Sequence, residues 1–280
     1  MKKNLILFLL SFFLSAFSQS PYEKVNATPR VHQPHTKPNQ QRVKVGAEQT
    51  DQYFPLLEGK RIAVLSNQTG MVGKEHLVDL LKRNHFNIVG IFSPEHGFRG
   101  TADAGEQVAD SVDKKTGIPI WSLYGVKGGK PSAEKMNRFD VLVFDLQDVG
   151  TRFYTYYITM AHMMDACAIS EKKMIVLDRP NPNGFYVDGP LLDMKYRSGV
   201  GWLPIPVVHG MTLGELALMI NGEKWLSNGR ICDVTVIPCE NYTHQTLYEL
   251  PIPPSPNLPN MHAVYLYPST CFFEGTVMSL

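Results

Sequence analysis

Only four cysteines occur in 280 residues, at Cys167, Cys232, Cys239 and Cys271, and no two form a C-x-x-C pair. This excludes zinc-ribbon and thioredoxin-like sites, which need closely spaced thiolates. Cys232 and Cys239 are near enough in sequence to close a small loop, but a chain this long needs no such staple, so buried free thiols are expected. No G-x-G-x-x-G turn, G-x-x-x-x-G-K-[ST] loop or G-x-S-x-G elbow occurs. The first two absences remove the usual phosphate cradles, and the third removes the serine-hydrolase nucleophile. Glycines do cluster between Gly125 and Lys130, without the Ser or Thr of a phosphate loop, and a mobile surface loop is the expected reading. Excess charge is lacking too: the formal net charge is +1. A general polyanion binder carries a basic surplus, so no nucleic acid partner is expected.

Long apolar runs are missing except near the amino terminus, from Leu5 to Phe17, which is too short for a comfortable membrane span. Lys2 and Lys3 precede it and Ala16, Phe17 and Ser18 follow, the pattern of a signal peptide over residues 1–18. No cysteine stands at the cleavage point to carry a lipid. We therefore expect a periplasmic or secreted protein with no stable membrane anchor after cleavage. Residues 19–52 hold Pro21, Pro29, Pro34 and Pro38 among polar residues and show no hydrophobic period, so they are expected to form a disordered leader.

What remains is ordinary in composition, 44% hydrophobic and 19% charged, and strongly patterned. Apolar strands are expected at 61–66, 87–92, 118–123, 140–146 and 173–177, the fourth continuous enough to be buried on both faces. Helices are expected at 75–83, 132–138 and 153–170, with at least two of Phe153, Tyr156 and Tyr157 in the core. Repeated βα units of this kind imply an α/β fold with a doubly wound, mostly parallel sheet.

Parallel strands end on one edge, so their polar followers converge there. Asn67 follows the first strand, Glu95 with His96 and Arg99 the second, and Tyr124 the third. Asp145, Gln147 and Asp148 follow the fourth, with Arg152 and Tyr154 beyond them, and Asp178 and Arg179 follow the fifth. His209 is expected to end a further strand ahead of a capping box at Thr212 and Glu215. A cleft of carboxylates, cations and aromatics suits a sugar ring with an acidic substituent, and equally a phosphate. Glycoside hydrolysis generally needs two carboxyl groups. Glu95, beside Pro94 and Phe98, is the best acid, with Asp145, Asp148, Asp178 and Glu274 as possible partners. Each aspartate taken alone would serve as well in a loop or at a helix N-cap.

Five ordered motifs carry a resemblance: Ser93 to Gly100, Phe144 to Tyr156, Leu177 to Asn183, Val208 to Thr212 and Pro254 to Pro259. From about Tyr53 onward the chain resembles a bacterial family, long labelled a domain of unknown function, whose characterised members are exo-β-N-acetylmuramidases of peptidoglycan recycling. The resemblance implies release of β-1,4-linked N-acetylmuramic acid from the non-reducing end of peptidoglycan-derived glycans or muropeptides. It implies a Rossmann-like domain at 53–205, a smaller α+β domain from 206, and a cleft between them. Glu95 matches the favoured catalytic glutamate, implied as the general acid, and no metal or nucleotide cofactor is implied. The lactyl carboxylate would explain an arginine clamp, with Arg99, Arg152 or Arg179 as candidates. The second catalytic group stays open, and the substrate's own acetamido group is one possibility. Related sequences continue past Phe272 to Thr276 into a further domain, so a truncated product is expected, with a hydrophobic face uncovered after a strand-like segment. The competing function is a noncatalytic muropeptide-binding protein. Oligomeric state has no signature in the sequence.

Overall fold

Alternate residues of each central strand belong to two different hydrophobic clusters, and this division builds the fold. Ile62, Val64, Val141, Val143, Ile175 and Leu177 belong to one cluster, whereas Ala63, Leu65, Leu142, Phe144, Met174 and Val176 belong to the other. A strand with period two that is apolar on both sides must be covered on both sides. The computed structural model describes residues 41–94, 97–98, 110–123 and 129–276.

The strands are β1 (Arg61–Ser66), β2 (Met71–Val72), β3 (Glu75–His76), β4 (Asn87–Ser93), β5 (Ser111–Val112), β6 (Pro119–Ser122), β7 (Val141–Asp145), β8 (Lys173–Leu177) and β9 (Val234–Ile237). β2 and β3 form a small hairpin, and the rest form one sheet in the order β5-β6-β4-β1-β7-β8-β9. All pairings in that sheet are parallel except the edge pair β5 and β6. Counting only its six parallel strands in chain order, the sheet reads 3-2-1-4-5-6. That is the dinucleotide-fold order, whose direction reverses between β1 and β7 and opens a crevice there.

The helices are α1 (Thr50–Leu57), α2 (Leu77–Arg83), α3 (Ala133–Met136), α4 (Tyr156–Ile169), α5 (Leu213–Gly222) and α6 (Met261–Thr270). α1 and α2 cover one face through Tyr53, Leu57, Leu77, Val78 and Leu81. On the other face lie α4, through Tyr157, Met160, Met163 and Met164, and α5, through Leu216, Ala217 and Ile220. α4 is buried round most of its circumference, with Tyr156 and Tyr157 in the core and Phe153 half-buried before it. All four cysteines are unbridged, and three of them are buried.

Several boundaries differ from those read in the sequence. Residues 41–52 are folded rather than part of a disordered leader: Val45 and Ala47 are buried, and Gly46 N–H donates to Asp178 O at 2.8 Å. The proline density that suggested disorder ends at Pro38. α2 starts two residues late because Glu75 and His76 pair in the hairpin, with the His76 ring accepting the Val78 N–H as an N-cap. The expected strand before His209 is reduced to isolated bridges from Val208 to Thr151 and to Asp188. Pro204 and Pro206 lack the N–H groups that a ladder needs. Near the carboxyl end a helix, α6, stands where a strand-like segment was expected, followed by a 3-10 turn over Cys271–Gly275.

The segment from 206 builds no core of its own among the described residues. β9 extends the same sheet, and Leu213, Val264 and Tyr267 join the cluster that holds Phe144. Leu266, Phe272 and Phe273 are exposed, and Phe272 packs edge-on against Phe153 with 5.5 Å between centroids.

Candidate active site at the carboxyl edge of the sheet

The crevice between β1 and β7 is lined by buried polar residues in fixed positions. Asn67, directly after β1, donates from Nδ2 to Tyr156 Oη at 2.8 Å and accepts both the Thr69 N–H and its hydroxyl on Oδ1. Gln147, just past β7, donates to Pro180 O at 2.7 Å and to Asp148 O at 2.8 Å. These bonds tie the β1, β7 and β8 loops into one rigid rim.

The three strand-end aspartates have different surroundings. Asp145 accepts from Arg179 Nε at 2.5 Å and Nη2 at 3.0 Å, a bidentate pair with both side chains buried. Asp145 was a candidate catalytic group and Arg179 a candidate substrate clamp; each is instead neutralised by the other, and Arg179 also holds Met71 O of the hairpin. Asp178 accepts from the Thr212 hydroxyl, Gly214 N–H and Arg179 N–H, so it anchors the first turn of α5 rather than facing the crevice.

Burial pushes the Asp178 carboxyl up to about 6, the bonds from Thr212 and Gly214 opposing this only in part. A carboxyl raised above its unfolded value of about 4 adds stability below that pH and loses it as pH climbs towards 6. Asp178→Asn should abolish this slope. Calorimetric melting of parent and variant should show their difference moving in the variant's favour between pH 4 and 6.5, whereas a constant difference would count against the raised carboxyl.

Asp148 is the third. Its Oδ2 accepts Gly150 N–H at 2.7 Å and lies 3.4 Å from His209 Nε2. Gly150 sits at φ +76°, and a Cβ there would lie 2.2 Å from Asn181 Oδ1, so only glycine fits the turn that presents this N–H. His209 Nδ1 accepts Met211 N–H at 3.3 Å, which assigns the ring proton to Nε2, facing Asp148.

Among the described residues, buried polar atoms without a hydrogen-bond partner include Asp148 Oδ1, Thr151 Oγ1, Arg152 Nε, Asn183 Oδ1 and His209 Nε2, on the loops that follow β7 and β8 and on the segment before α5. Leaving such a group unpaired costs about 1–3 kcal/mol, and native folds rarely carry several together. Arg152 is a buried cation with no carboxylate partner among the described residues. Its Nη1 donates to Pro190 O at 2.9 Å and Ile205 O at 2.6 Å, and desolvation holds its pKa below the ordinary value. The Nε–Nη2 edge faces no protein acceptor among the described residues.

Aromatic rings wall the same region. Tyr154 meets Tyr156 edge-on at 4.8 Å and Tyr267 at 6.2 Å, and its hydroxyl donates to Pro254 O. Tyr267 donates to Glu274 Oε1 at 2.6 Å, which brings exposed Glu274 to this edge. Glu95, His96, Arg99 and Tyr124 lie outside the described residues. Their neighbours do not: buried Ser93 ends β4, and Phe98 packs edge-on against His76 at 4.9 Å. Thr151, Asn181 and Asn183 were not singled out from sequence. The alternation of Pro180 and Pro182 with asparagines was the available signal, since such asparagines bond backbone rather than solvent. Here Asn183 Nδ2 donates to Val149 O and Val264 O, joining the site loop to α6.

Comparison with known proteins shows the family. Residues 62–262 match the family described as exo-beta-N-acetylmuramidase NamZ, N-terminal. The chain is 43% identical over 234 residues to the peptidoglycan beta-N-acetylmuramidase NamZ of Bacillus subtilis (strain 168), a match covering 81% of this chain and 55% of that protein. Two crystal structures of DUF1343 family proteins from Bacteroides fragilis NCTC 9343 superpose with TM-scores of 0.77 and 0.76, at 66% and 37% identity. They cover 84% and 85% of this chain, which spans 63% and 61% of theirs. The chain thus spans about half the curated relative's length and under two thirds of each solved chain. Its matched region takes in the crevice with Asp148, Arg152 and His209, and by that match the chain belongs to the exo-beta-N-acetylmuramidase NamZ family, as its N-terminal region.

Proposed function

We propose that this chain carries the sugar-cleaving machinery of a glycoside hydrolase that releases β-1,4-linked N-acetylmuramic acid from the non-reducing end of peptidoglycan fragments, with Glu95 as general acid. The observation that carries the reading is the set of buried polar atoms, unpartnered among the described residues, on Asp148, Thr151, Arg152, Asn183 and His209, in loops on the side of the sheet where this strand order places ligands. A muramyl ring supplies what those atoms lack: hydroxyl and amide groups for the neutral ones and a lactyl carboxylate for the cation. Of the three arginines considered, Arg179 is spent on Asp145. Arg152 keeps its Nε–Nη2 edge, a fork that suits a carboxylate. We further propose that the protein is exported by residues 1–18, which mass spectrometry of the mature amino terminus in culture fractions would test.

The enzyme should release nitrophenol from para-nitrophenyl β-N-acetylmuramide and not from the corresponding N-acetylglucosaminide, which lacks the lactyl group. Saturable binding with the muramide recovered intact would replace this reading with a noncatalytic muropeptide binder. Arg152→Met should raise KM for the muramide about 10- to 100-fold, the worth of hydrogen bonds to a charged group. An unchanged KM in a variant that melts normally would remove Arg152 from the clamp.

A further inference from the structure

Resting on the glycosidase reading, we propose that Asp148 reads the substrate's acetamido group, accepting its N–H on Oδ1, and so sets specificity for N-acetylated sugar. The argument begins with elimination. Asp145 has both oxygens held by Arg179, and Asp178 has both held by Thr212, Gly214 and Arg179 N–H. Asp148 alone of the three strand-end aspartates keeps an oxygen, Oδ1, that is enclosed and without a partner among the described residues.

Among the described residues Oδ1 meets no donor. Gly150 N–H and His209 Nε2 both face Oδ2. Tyr154 gives its hydroxyl proton to Pro254 O and Tyr267 gives its own to Glu274, although both rings stand close enough to feel the Asp148 charge. An ionised carboxylate only accepts, so the complementary ligand atom is a donor. Arg152 already provides a cation for the substrate's acid. A second charged donor is not called for, and a neutral N–H is. On a muramyl ring that group is the acetamide. A site built to bond a polar group discriminates strongly against the analogue lacking it, because its own buried atom is then left unpaired.

Asp148→Asn makes the test sharp. Gly150 N–H would retain the amide oxygen, leaving an NH2 group where the acceptor stood, so donor would face donor. Two substrates are compared: para-nitrophenyl β-N-acetylmuramide and its analogue with a hydroxyl replacing the acetamido group. The parent should favour the acetylated substrate about 10- to 100-fold in kcat/KM, and the variant should lose that preference. Equal losses on both substrates would overturn the proposal. Asp148→Ser, which can still accept Gly150 N–H, is the second variant should the asparagine form not fold, with the same outcomes. Calorimetry with the two free sugars reads the preference without turnover. A parent that binds the acetylated sugar preferentially but never releases nitrophenol would sink the hydrolase and keep the Asp148 assignment, whereas one that cleaves both substrates equally well would do the reverse.

Discussion

Arg179→Met should lower the stability of the fold by about 3–5 kcal/mol, the cost of stranding a buried carboxylate. Asp145 is completely buried at the end of β7, and its two oxygens accept from Arg179 Nε and Nη2. Removing the cation leaves the anion in low dielectric with no hydrogen-bond donor in its place among the described residues. The same guanidinium holds Met71 O at 3.1 Å, so the β2–β3 hairpin beside the crevice should loosen as well. Urea titration would show the midpoint fall at nearly constant slope. The double variant Asp145→Leu with Arg179→Met should recover most of the loss, because an apolar pair needs no desolvation of charge. A single variant costing under about 1 kcal/mol would mean that the pair is solvated and contributes as weakly as a surface bridge.

That pair also marks where the sequence stopped being informative. The apolar strands announced themselves, since residues 61–66, 87–92 and 141–145 must be buried on both faces, and a parallel order follows from the helices between them. The crevice followed from the order. Which aspartate stays available did not, because Asp145, Asp148 and Asp178 differ only in contacts to residues far along the chain; Arg179 is 34 positions from Asp145, and Thr212 is 34 from Asp178. Composition cannot tell a paired carboxylate from an unpaired one. β9 was missed because its four residues are mostly half-buried and follow no strong apolar run. The chain before His209 was overread for the opposite reason: Val207 and Val208 look like a strand, but the flanking prolines confine the ladder to single bridges.

Glu95→Gln should reduce hydrolysis of a muramyl disaccharide about 10²- to 10⁴-fold, the usual worth of a positioned general acid. In the sequence it directly follows Pro94, which comes just after the end of β4, and β4 lies next to β1 in the sheet. A glutamine keeps the size and polarity of the side chain but has no proton to give to a leaving sugar oxygen. The leaving group therefore separates the possible roles. A sugar alkoxide is a poor leaving group that needs protonation as the bond breaks, whereas nitrophenolate is stable enough to depart with little help. An acid should thus be missed severely on the disaccharide and mildly on the nitrophenyl muramide. Equal and severe losses on both would place Glu95 at the anomeric carbon instead, as nucleophile or charge stabiliser. Undiminished rates on both would remove Glu95 from the chemistry and leave Asp148, the strand-end aspartate with an oxygen unpartnered among the described residues, as the carboxylate to test next.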